Sequence, residues 1–117
     1  MLPKKSRISR ELFSKLLLDS KYINFPTFSL RYLNNSEIKE TRIGVSVSKK
    51  VSKSAVVRNT VRRRVYTTTS SLFKNFPSGF FLFVAKPGAE KLKGEKLKEE
   101  IKKLLDKVSF VSISKKS

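Results

Sequence analysis

The chain has 117 residues, of which 38% are hydrophobic, and its 27 Lys and Arg residues outnumber its 9 Asp and Glu residues. This length suffices for one compact domain and is too small for two ordinary ones. The sequence contains no Cys and no His, which excludes disulfides, thiolate nucleophiles, imidazole general bases and the usual zinc sites. We therefore expect no catalytic residue and no metal site in the protein itself.

The excess of positive charge points to a polyanionic partner. A formal net charge of +18 exceeds what solubility requires, and self-repulsion at that level opposes compaction unless a polyanion or salt screens it. A nucleic acid is the leading candidate and an acidic membrane surface is the competitor, but the sequence shows neither a basic amphipathic helix with bulky aromatic residues nor a lipidation signal. No signal peptide and no apolar run of membrane-spanning length is evident either. We expect a cytoplasmic protein with no membrane partner and no small-molecule substrate.

The N-terminal part predicts a flexible arm followed by a short helix. Residues 1–8 are basic and lack periodicity. Ser9 is a suitable N-cap, and apolar residues follow it at helical spacing: Leu12, Phe13, Leu16 and Leu17.

Two antiparallel strands are predicted next, over residues 22–33 and 42–48, separated by the turn signal Asn34-Asn35-Ser36. In the second strand the apolar residues Ile43, Val45 and Val47 alternate with Arg42, Gly44, Ser46 and Ser48. The small residues on that second face leave room for something to lie against the sheet.

A longer helix is predicted over residues 55–73, with Ser54 as its N-cap. At about 100° per residue, one sector of the helix is apolar and forms the expected buried stripe: Val57, Val61, Val65, Thr68 and Leu72. The neighbouring and opposite sector faces solvent: Ala55, Arg58, Asn59, Arg62, Tyr66 and Thr69. Arg63 lies just beyond that sector, and Arg64 borders the apolar stripe as a flanking residue whose stem packs while its charge stays in water.

The C-terminal part predicts a strand, a helix and a further short strand. The run GFFLFVA, residues 79–85, is typical of a strand buried on both faces. An amphipathic helix begins near Lys93, a short strand follows at residues 108–113, and residues 114–117 form a frayed tail. We expect an α/β (α+β) fold with one RNA-binding domain at residues 9–113, built from a four-stranded sheet and about three helices.

The basic stretch at residues 48–64 is the strongest functional signal, because seven of its seventeen residues are Lys or Arg. No Asp or Glu occurs from Thr41 to Ala89, although this window also holds many large apolar residues. Its charge is therefore carried by a folded core and not by a disordered tail. A basic helix face is often merely solvated, but such a face usually carries partnering Glu residues, so phosphate binding is favoured here.

The sequence pattern alone does not decide the roles of two residues. Asn59 could bond a ribose hydroxyl or a base edge, or could be an ordinary exposed helix residue. Phe13 could be a core residue, or a stacking platform for an unpaired base at the rim of the sheet.

The segment KKVSKSAVVRNTVRRR closely resembles the RNR motif of the bacterial ribonuclease P protein component, together with the preceding strand IGVSVSKK and Arg42. The resemblance extends to the basic arm, the R-E-L-F helix and the lysine-rich last helix, and so covers nearly the whole domain. It implies a fold like domain 2 of ribosomal protein S5 and a protein that helps a large catalytic RNA remove the 5′ leader of precursor tRNA. The RNA would hold the chemistry and most ligands of the active-site Mg²⁺ ions, and the protein alone would be inactive.

The resemblance also implies two sets of binding residues. The surface for the catalytic RNA maps onto the lysine loop and the helix that follows it: Lys49, Lys50, Lys53, Arg58, Asn59, Arg62, Arg63 and Tyr66. The cleft for the single-stranded leader of precursor tRNA maps onto Phe13, Leu17, Arg31, Arg42 and Ser46.

Several positions depart from the family pattern. Family members often carry a cation where this chain has Thr60 or Tyr66, and aromatic residues at the positions of Leu17 and Arg31. We therefore expect leader contacts that depend on charge more than on stacking. The rival class is a stand-alone RNA-binding or ribosomal protein, which explains the charge equally well but not the motif around Arg58 and Asn59.

Overall fold

The structure is a computed structural model and describes residues 7–18, 20–34 and 38–116. Its helices and strands are, in chain order, α1 (Arg10–Leu18), β1 (Lys21–Asn24), β2 (Phe28–Leu33), β3 (Thr41–Ser46), α2 (Ala55–Ser71), β4 (Gly79–Ala85) and α3 (Gly94–Lys116). Two short 3₁₀ turns, Phe73–Asn75 and Ala89–Lys91, flank β4. The expected small α+β fold with a four-stranded sheet and three helices is confirmed.

The sheet has the strand order β1-β2-β4-β3, with β4 antiparallel to β2 and parallel to β3. The strands β2 and β3 run in opposite directions, as predicted, but they are not neighbours, because β4 lies between them. The central position suits β4, because a strand of seven mostly buried residues needs a neighbour on each side and cover on both faces.

The strand predicted over residues 22–33 is two strands, β1 and β2, joined by a tight turn. In this turn the Phe25 N–H donates to the Phe28 carbonyl oxygen at 2.8 Å. Pro26 is the missed signal, since proline cannot donate to a sheet ladder and rarely lies inside a strand. The sheet therefore gains one strand at this edge.

The short strand predicted over residues 108–113 is wrong, because α3 continues as a helix through Lys116. Val108 is fully buried and extends the helical stripe that begins with Leu97, Ile101 and Leu104. Tertiary packing here overrides the strand propensity of the β-branched residues. The division into arm, domain and tail stays a prediction, and residues 1–6 and 117 lie outside the described part.

The main core lies between one sheet face and the helices α2 and α3. Its largest fully buried side chains include Phe28, Tyr32, Phe81 and Phe83 from β2 and β4. Burial raises the pKa of the Tyr32 hydroxyl because the anion would lose its hydration. Burying each such ring contributes about 1.5 to 3 kcal/mol, so this layer fixes the position of α2.

The opposite sheet face is covered by α1 and by the residues just before it. Ser9 caps α1 as predicted, since its Oγ accepts from the Leu12 N–H at 3.2 Å. The Ile8 N–H donates to the Ile43 carbonyl oxygen at 3.1 Å, and a side chain at Gly44 would lie only 3.0 Å from the Ile8 Cβ. The room predicted above the small residues of β3 is therefore taken up at Gly44 by the chain's own Ile8.

Candidate nucleic-acid interface

Helix α2 begins as the sequence predicts. The Ser54 Oγ accepts from the Val57 N–H at 3.3 Å, which satisfies one of the otherwise unpaired amides of the first turn. The helix ends at Ser71, two residues before the predicted end. Its first turns follow directly on the lysine loop, residues 48–54, so loop and helix form one surface.

The buried stripe of α2 is rotated about the helix axis from its predicted position, so that it includes Thr69. Thr69 is fully buried, although it was assigned to the solvent side, whereas Val57 and Thr68 are only half-buried. Two facts explain this: α2 packs both on β3 and on α3, and the Thr69 Oγ is satisfied by the Tyr66 carbonyl oxygen at 3.1 Å. The rotation moves Arg58 and Arg62 closer to the protein than expected.

The lysine loop is held in place at its middle. Val51 is 9% exposed and belongs to the main core, while its N–H donates to the Ser48 carbonyl oxygen at 3.1 Å. Lys49, Lys50 and Lys53 around it are exposed. The buried Val51 side chain thus holds the loop in a position that exposes these three ammonium groups to solvent.

Arg58 stabilises the lysine loop from the first turn of α2. It is half-buried, and its Nη1 donates to the backbone oxygens of Ser52 at 3.0 Å and Lys53 at 2.9 Å. The guanidinium group therefore fixes the backbone that carries the lysines, in addition to adding its own charge to the surface.

Arg62 connects α2 to the end of β3. Its Nη2 donates to the Val47 carbonyl oxygen at 3.4 Å, and its Nη1 donates to the Asn59 Oδ1 at 2.6 Å. Asn59 itself is exposed. The amide oxygen orients the guanidinium group, and the two amide N–H donors of Asn59 have no partner among the described residues.

The remaining cations of α2 differ in their surroundings. Arg63 is exposed and makes no hydrogen bond or ion pair with residues in the described ranges. Arg64 is half-buried, and its Nη1 donates to the Glu90 carbonyl oxygen at 2.9 Å, whereas its charge was expected to stay in water. The Tyr66 ring is half-buried and lies under the Arg7 guanidinium group, whose Cζ is 5.2 Å from the ring centroid.

The predicted leader residues come together on the face of the sheet that carries α1. Arg42 and Ser46 alternate with Gly44 on β3, and Arg31 on β2 shares this face because both Gly44 and Arg31 lie opposite Leu82 of β4. Arg42 Nε lies 3.1 Å from a Glu40 carboxylate oxygen, an exposed ion pair. Phe13 on α1 is half-buried, and the side chain of Leu17 lies outside the described part.

The sequence reasoning missed Tyr22, which lies directly opposite Arg31 on β1. Its ring is 52% exposed, and the Arg31 Cζ is 5.1 Å from the ring centroid. The missed signal was again Pro26, because a turn there places Tyr22 and Arg31 on adjacent strands with their side chains on one face.

Neither a metal-binding cluster nor a membrane-spanning helix occurs in residues 7–18, 20–34 and 38–116. No group of three acidic residues there could hold a metal ion. No helix in these ranges is both long and apolar enough to cross a membrane.

Comparisons with known proteins identify the family. The family model for Ribonuclease P matches residues 2–109. The chain is 34% identical over 113 residues to the Ribonuclease P protein component of Pseudanabaena, covering 95% of this chain and 97% of the relative. It is 30% identical over 105 residues to the same component of Streptococcus pyogenes, covering 89% and 87%.

Solved structures share the fold. The RNase P protein of Staphylococcus aureus superposes with a TM-score of 0.75 at 22% identity, over 89% of this chain and 94% of that one. The RNase P protein of Thermotoga maritima superposes with a TM-score of 0.76 at 18% identity, over 86% and 96%. The chain therefore belongs to the bacterial Ribonuclease P protein family.

Proposed function

We propose that this protein is the protein subunit of a ribonucleoprotein endoribonuclease that matures the 5′ end of tRNA. The observation that carries the proposal is the surface of the lysine loop and α2, which is rich in cations, free of acidic residues in its sequence and built on a Ribonuclease P family fold. The protein would bind the catalytic RNA with this surface and the 5′ leader of precursor tRNA with the sheet face under α1.

The catalytic-RNA surface would act through phosphate contacts. Lys49, Lys50, Lys53 and Arg63 are exposed and available to phosphates, while Arg58 and Arg62 combine a phosphate contact with bonds to the protein backbone. Each contact releases counterions from the RNA, so affinity should fall steeply with salt. Tyr66, whose ring lies under the Arg7 guanidinium group, would contact the RNA at the far end of this helix face.

The leader surface would combine charge with one aromatic ring on α1. Arg31 and Arg42 can contact phosphates, Ser46 is small enough to let a strand of RNA approach the sheet, and Phe13 can stack on an unpaired base. Duplex RNA has no free base faces, so this surface should favour single strands.

The carboxylates of the described ranges do not gather into a site that fits Mg²⁺. The family membership implies that the Mg²⁺ ions of the holoenzyme would be held mainly by RNA phosphates, where they would supply the activated water. The part of the protein is to bring cations near closely packed phosphates and to position the leader.

Reconstitution tests the proposal. Purified protein alone, cognate catalytic RNA alone and the mixture are incubated with precursor tRNA at low Mg²⁺ concentration. We expect 5′ cleavage from the mixture only, because added cations partly replace the screening that the RNA otherwise takes from Mg²⁺. Cleavage by RNA-free protein would contradict the proposal and indicate a protein nuclease. No effect of the protein on the RNA at any Mg²⁺ concentration would also contradict it and favour a stand-alone RNA-binding protein.

The leader surface is tested with Phe13→Leu and Phe13→Ala. Both remove the ring, but leucine retains most of the apolar packing. We expect both variants to lower the affinity of the holoenzyme for precursor tRNA by about 1 to 3 kcal/mol, the usual loss for one stacked base, and to leave mature tRNA nearly unaffected. Equal losses for both substrates would return Phe13 to a packing role, and a thermal melt of Phe13→Leu shows whether the domain is still folded.

A further inference from the structure

Tyr22 is an exposed aromatic residue on an outer strand of the sheet. Its side chain is 52% exposed, in contrast to Tyr32 on the neighbouring strand, which is 2% exposed and part of the main core. Tyr22 belongs to neither the main core nor the residues packed against it. Its ring therefore has free surface on the same sheet face as Arg31, Arg42 and Ser46.

The Tyr22 side chain is nevertheless held in one orientation. Its hydroxyl lies 2.8 Å from the Ser29 Oγ, and one of these two hydroxyls donates to the other. The remaining O–H can donate to the Asn24 Oδ1, which lies 3.3 Å from the Tyr22 oxygen and 3.2 Å from the Ser29 oxygen. The Arg31 Cζ lies 5.1 Å from the ring centroid, within the range of a cation–π contact. A ring fixed at both its hydroxyl and its face loses little rotamer freedom when a ligand stacks on it.

The ordinary explanation for such a pair is strand stabilisation, since aromatic and cationic side chains on adjacent strands attract each other weakly. That explanation needs neither the free half of the ring nor the hydrogen-bonded hydroxyl. A pre-oriented ring beside a guanidinium group has instead the two features that an unpaired nucleotide needs, namely a flat surface for the base and a cation for its phosphate.

We propose that Tyr22 and Arg31 form a binding position for one unpaired nucleotide, with the base stacked on Tyr22 and the adjacent phosphate contacted by Arg31. The proposal rests on the proposed function, since the single strand that reaches this sheet face is then the leader of precursor tRNA. In this proposal β1 supplies one stacking ring, Tyr22, in addition to the Phe13 ring on α1. The leader surface thus combines stacking with charge at its outer edge.

Intrinsic fluorescence can detect this contact in the full-length protein without the catalytic RNA. The chain has no Trp and three Tyr residues, so a base stacked on Tyr22 quenches a large share of its emission. The probe is a single-stranded oligouridylate, titrated at fixed low salt. We expect quenching in the natural protein, loss of most of that quenching in Tyr22→Phe with affinity within about twofold, and persistent quenching in Tyr66→Phe.

Tyr22→Leu separates stacking from the cross-strand pairing of β1. Leucine keeps an apolar side chain but no ring, and we expect the affinity for the oligouridylate to fall by roughly fivefold or more, the equivalent of one lost stacking contact. The affinity for a hairpin duplex of similar charge should stay within about twofold. Thermal melts of both variants show whether the sheet is intact, and Tyr22→Phe keeps the test informative if Tyr22→Leu is unstable.

Two outcomes would overturn the inference: quenching that persists in Tyr22→Phe, or an unchanged oligouridylate affinity in folded Tyr22→Leu. Because this assay omits the catalytic RNA, its outcome is distinguishable from that of the proposed function. A reconstituted enzyme that cleaves precursor tRNA while Tyr22→Leu binds the oligonucleotide normally would reject only the nucleotide position at Tyr22.

Discussion

At the residue scale, the arginines of α2 divide into those that organise the protein and those that are free for a ligand. Arg58 donates to two backbone oxygens of the lysine loop, and Arg64 donates to the backbone near the second 3₁₀ turn. Arg63 is exposed and has no such partner among the described residues. Removal of an arginine side chain therefore has a different effect on stability and on ligand binding at each of these positions.

Arg63→Ala should weaken binding of the catalytic RNA without destabilising the protein. Loss of one charge-assisted phosphate contact should cost about 1 to 3 kcal/mol of binding and lower the salt slope by about one contact. Filter binding over a salt series gives both quantities, and a thermal melt should be unchanged. Equal binding by Arg63→Ala and the natural protein would place the RNA elsewhere on the helix.

Arg58→Ala should affect both the affinity and the fold. Its two hydrogen bonds each contribute about 0.5 to 1.5 kcal/mol, so the melting temperature should fall together with the RNA affinity. Arg58→Lys is the matched control, because it keeps the charge but cannot hold the loop with a planar guanidinium group. If Arg58→Lys had the affinity and stability of the natural protein, charge alone would explain this position.

How far single residues could be predicted depends on how local their signal is. The N-caps Ser9 and Ser54 were predicted correctly, because a cap is decided by a hydroxyl three residues before the amide it binds. The burial of Thr69 was not, because it depends on which elements pack around α2. The backbone contacts of Arg58 and Arg62 could not be predicted either, because they depend on the folded conformation of the loop. The sequence therefore identified these cations as binding residues but not their role in stabilising the protein.

At the scale of elements, β3 and the segment before α1 depend on each other through Gly44. A Cβ at Gly44 would lie 3.0 Å from the Ile8 Cβ and 3.2 Å from the Leu82 Cδ1, which is tighter than ordinary contact. Ile8 cannot simply withdraw, because its N–H is bonded to the Ile43 carbonyl oxygen. The glycine therefore allows the chain to cross the sheet face on its way to α1.

Gly44→Val should destabilise the protein by about 1 to 3 kcal/mol, the usual cost of overpacking. The loss should shrink on an Ile8→Gly background, where the clashing Cβ of residue 8 is gone. Urea denaturation of the four proteins of this double-mutant cycle measures the coupling. Strictly additive free energies would mean that Ile8 does not limit the space above Gly44.

Helices and strands were predicted correctly where segment length and periodicity agreed. The predictions were wrong where contacts with residues distant in the sequence determine the structure. The helices α1 and α2 and the buried strand β4 follow from their patterns. The division of β1 from β2 depended on Pro26, and the C-terminal half of α3 was mistaken for a strand because Val108 belongs to the helical stripe only when the core is in place. The strand order β1-β2-β4-β3 is likewise a property of packing that no local pattern contains.

At the scale of the whole molecule, the charge that suits the protein to RNA opposes its own folding. A net charge of +18 on 117 residues repels itself, and the lysine loop has no carboxylate partner among the described residues. In water, each pair of like charges about 10 Å apart costs a few tenths of a kcal/mol. The free energy of unfolding and the RNA affinity should therefore respond in opposite directions to loss of these charges.

The triple substitution Lys49→Gln, Lys50→Gln and Lys53→Gln tests this opposition. At low salt the variant should be as stable as the natural protein or more so, while its affinity for the catalytic RNA falls and its salt slope decreases by about 2 to 3. In about 1 M KCl, where the screening length is about 3 Å, the difference in the free energy of unfolding should vanish. Urea denaturation at both salt concentrations and filter binding supply the measurements.

A matched control replaces three exposed lysines of α3, Lys96, Lys102 and Lys107, with glutamine. It removes the same charge from a helix outside the proposed RNA surface, so its RNA affinity should change far less than that of the loop variant. Equal losses of affinity in both variants would mean that net charge and not the lysine loop determines binding. A loop variant that is clearly less stable at low salt would instead show that the three lysines stabilise the fold, and the opposition between charge for RNA and charge against folding would not hold for this protein.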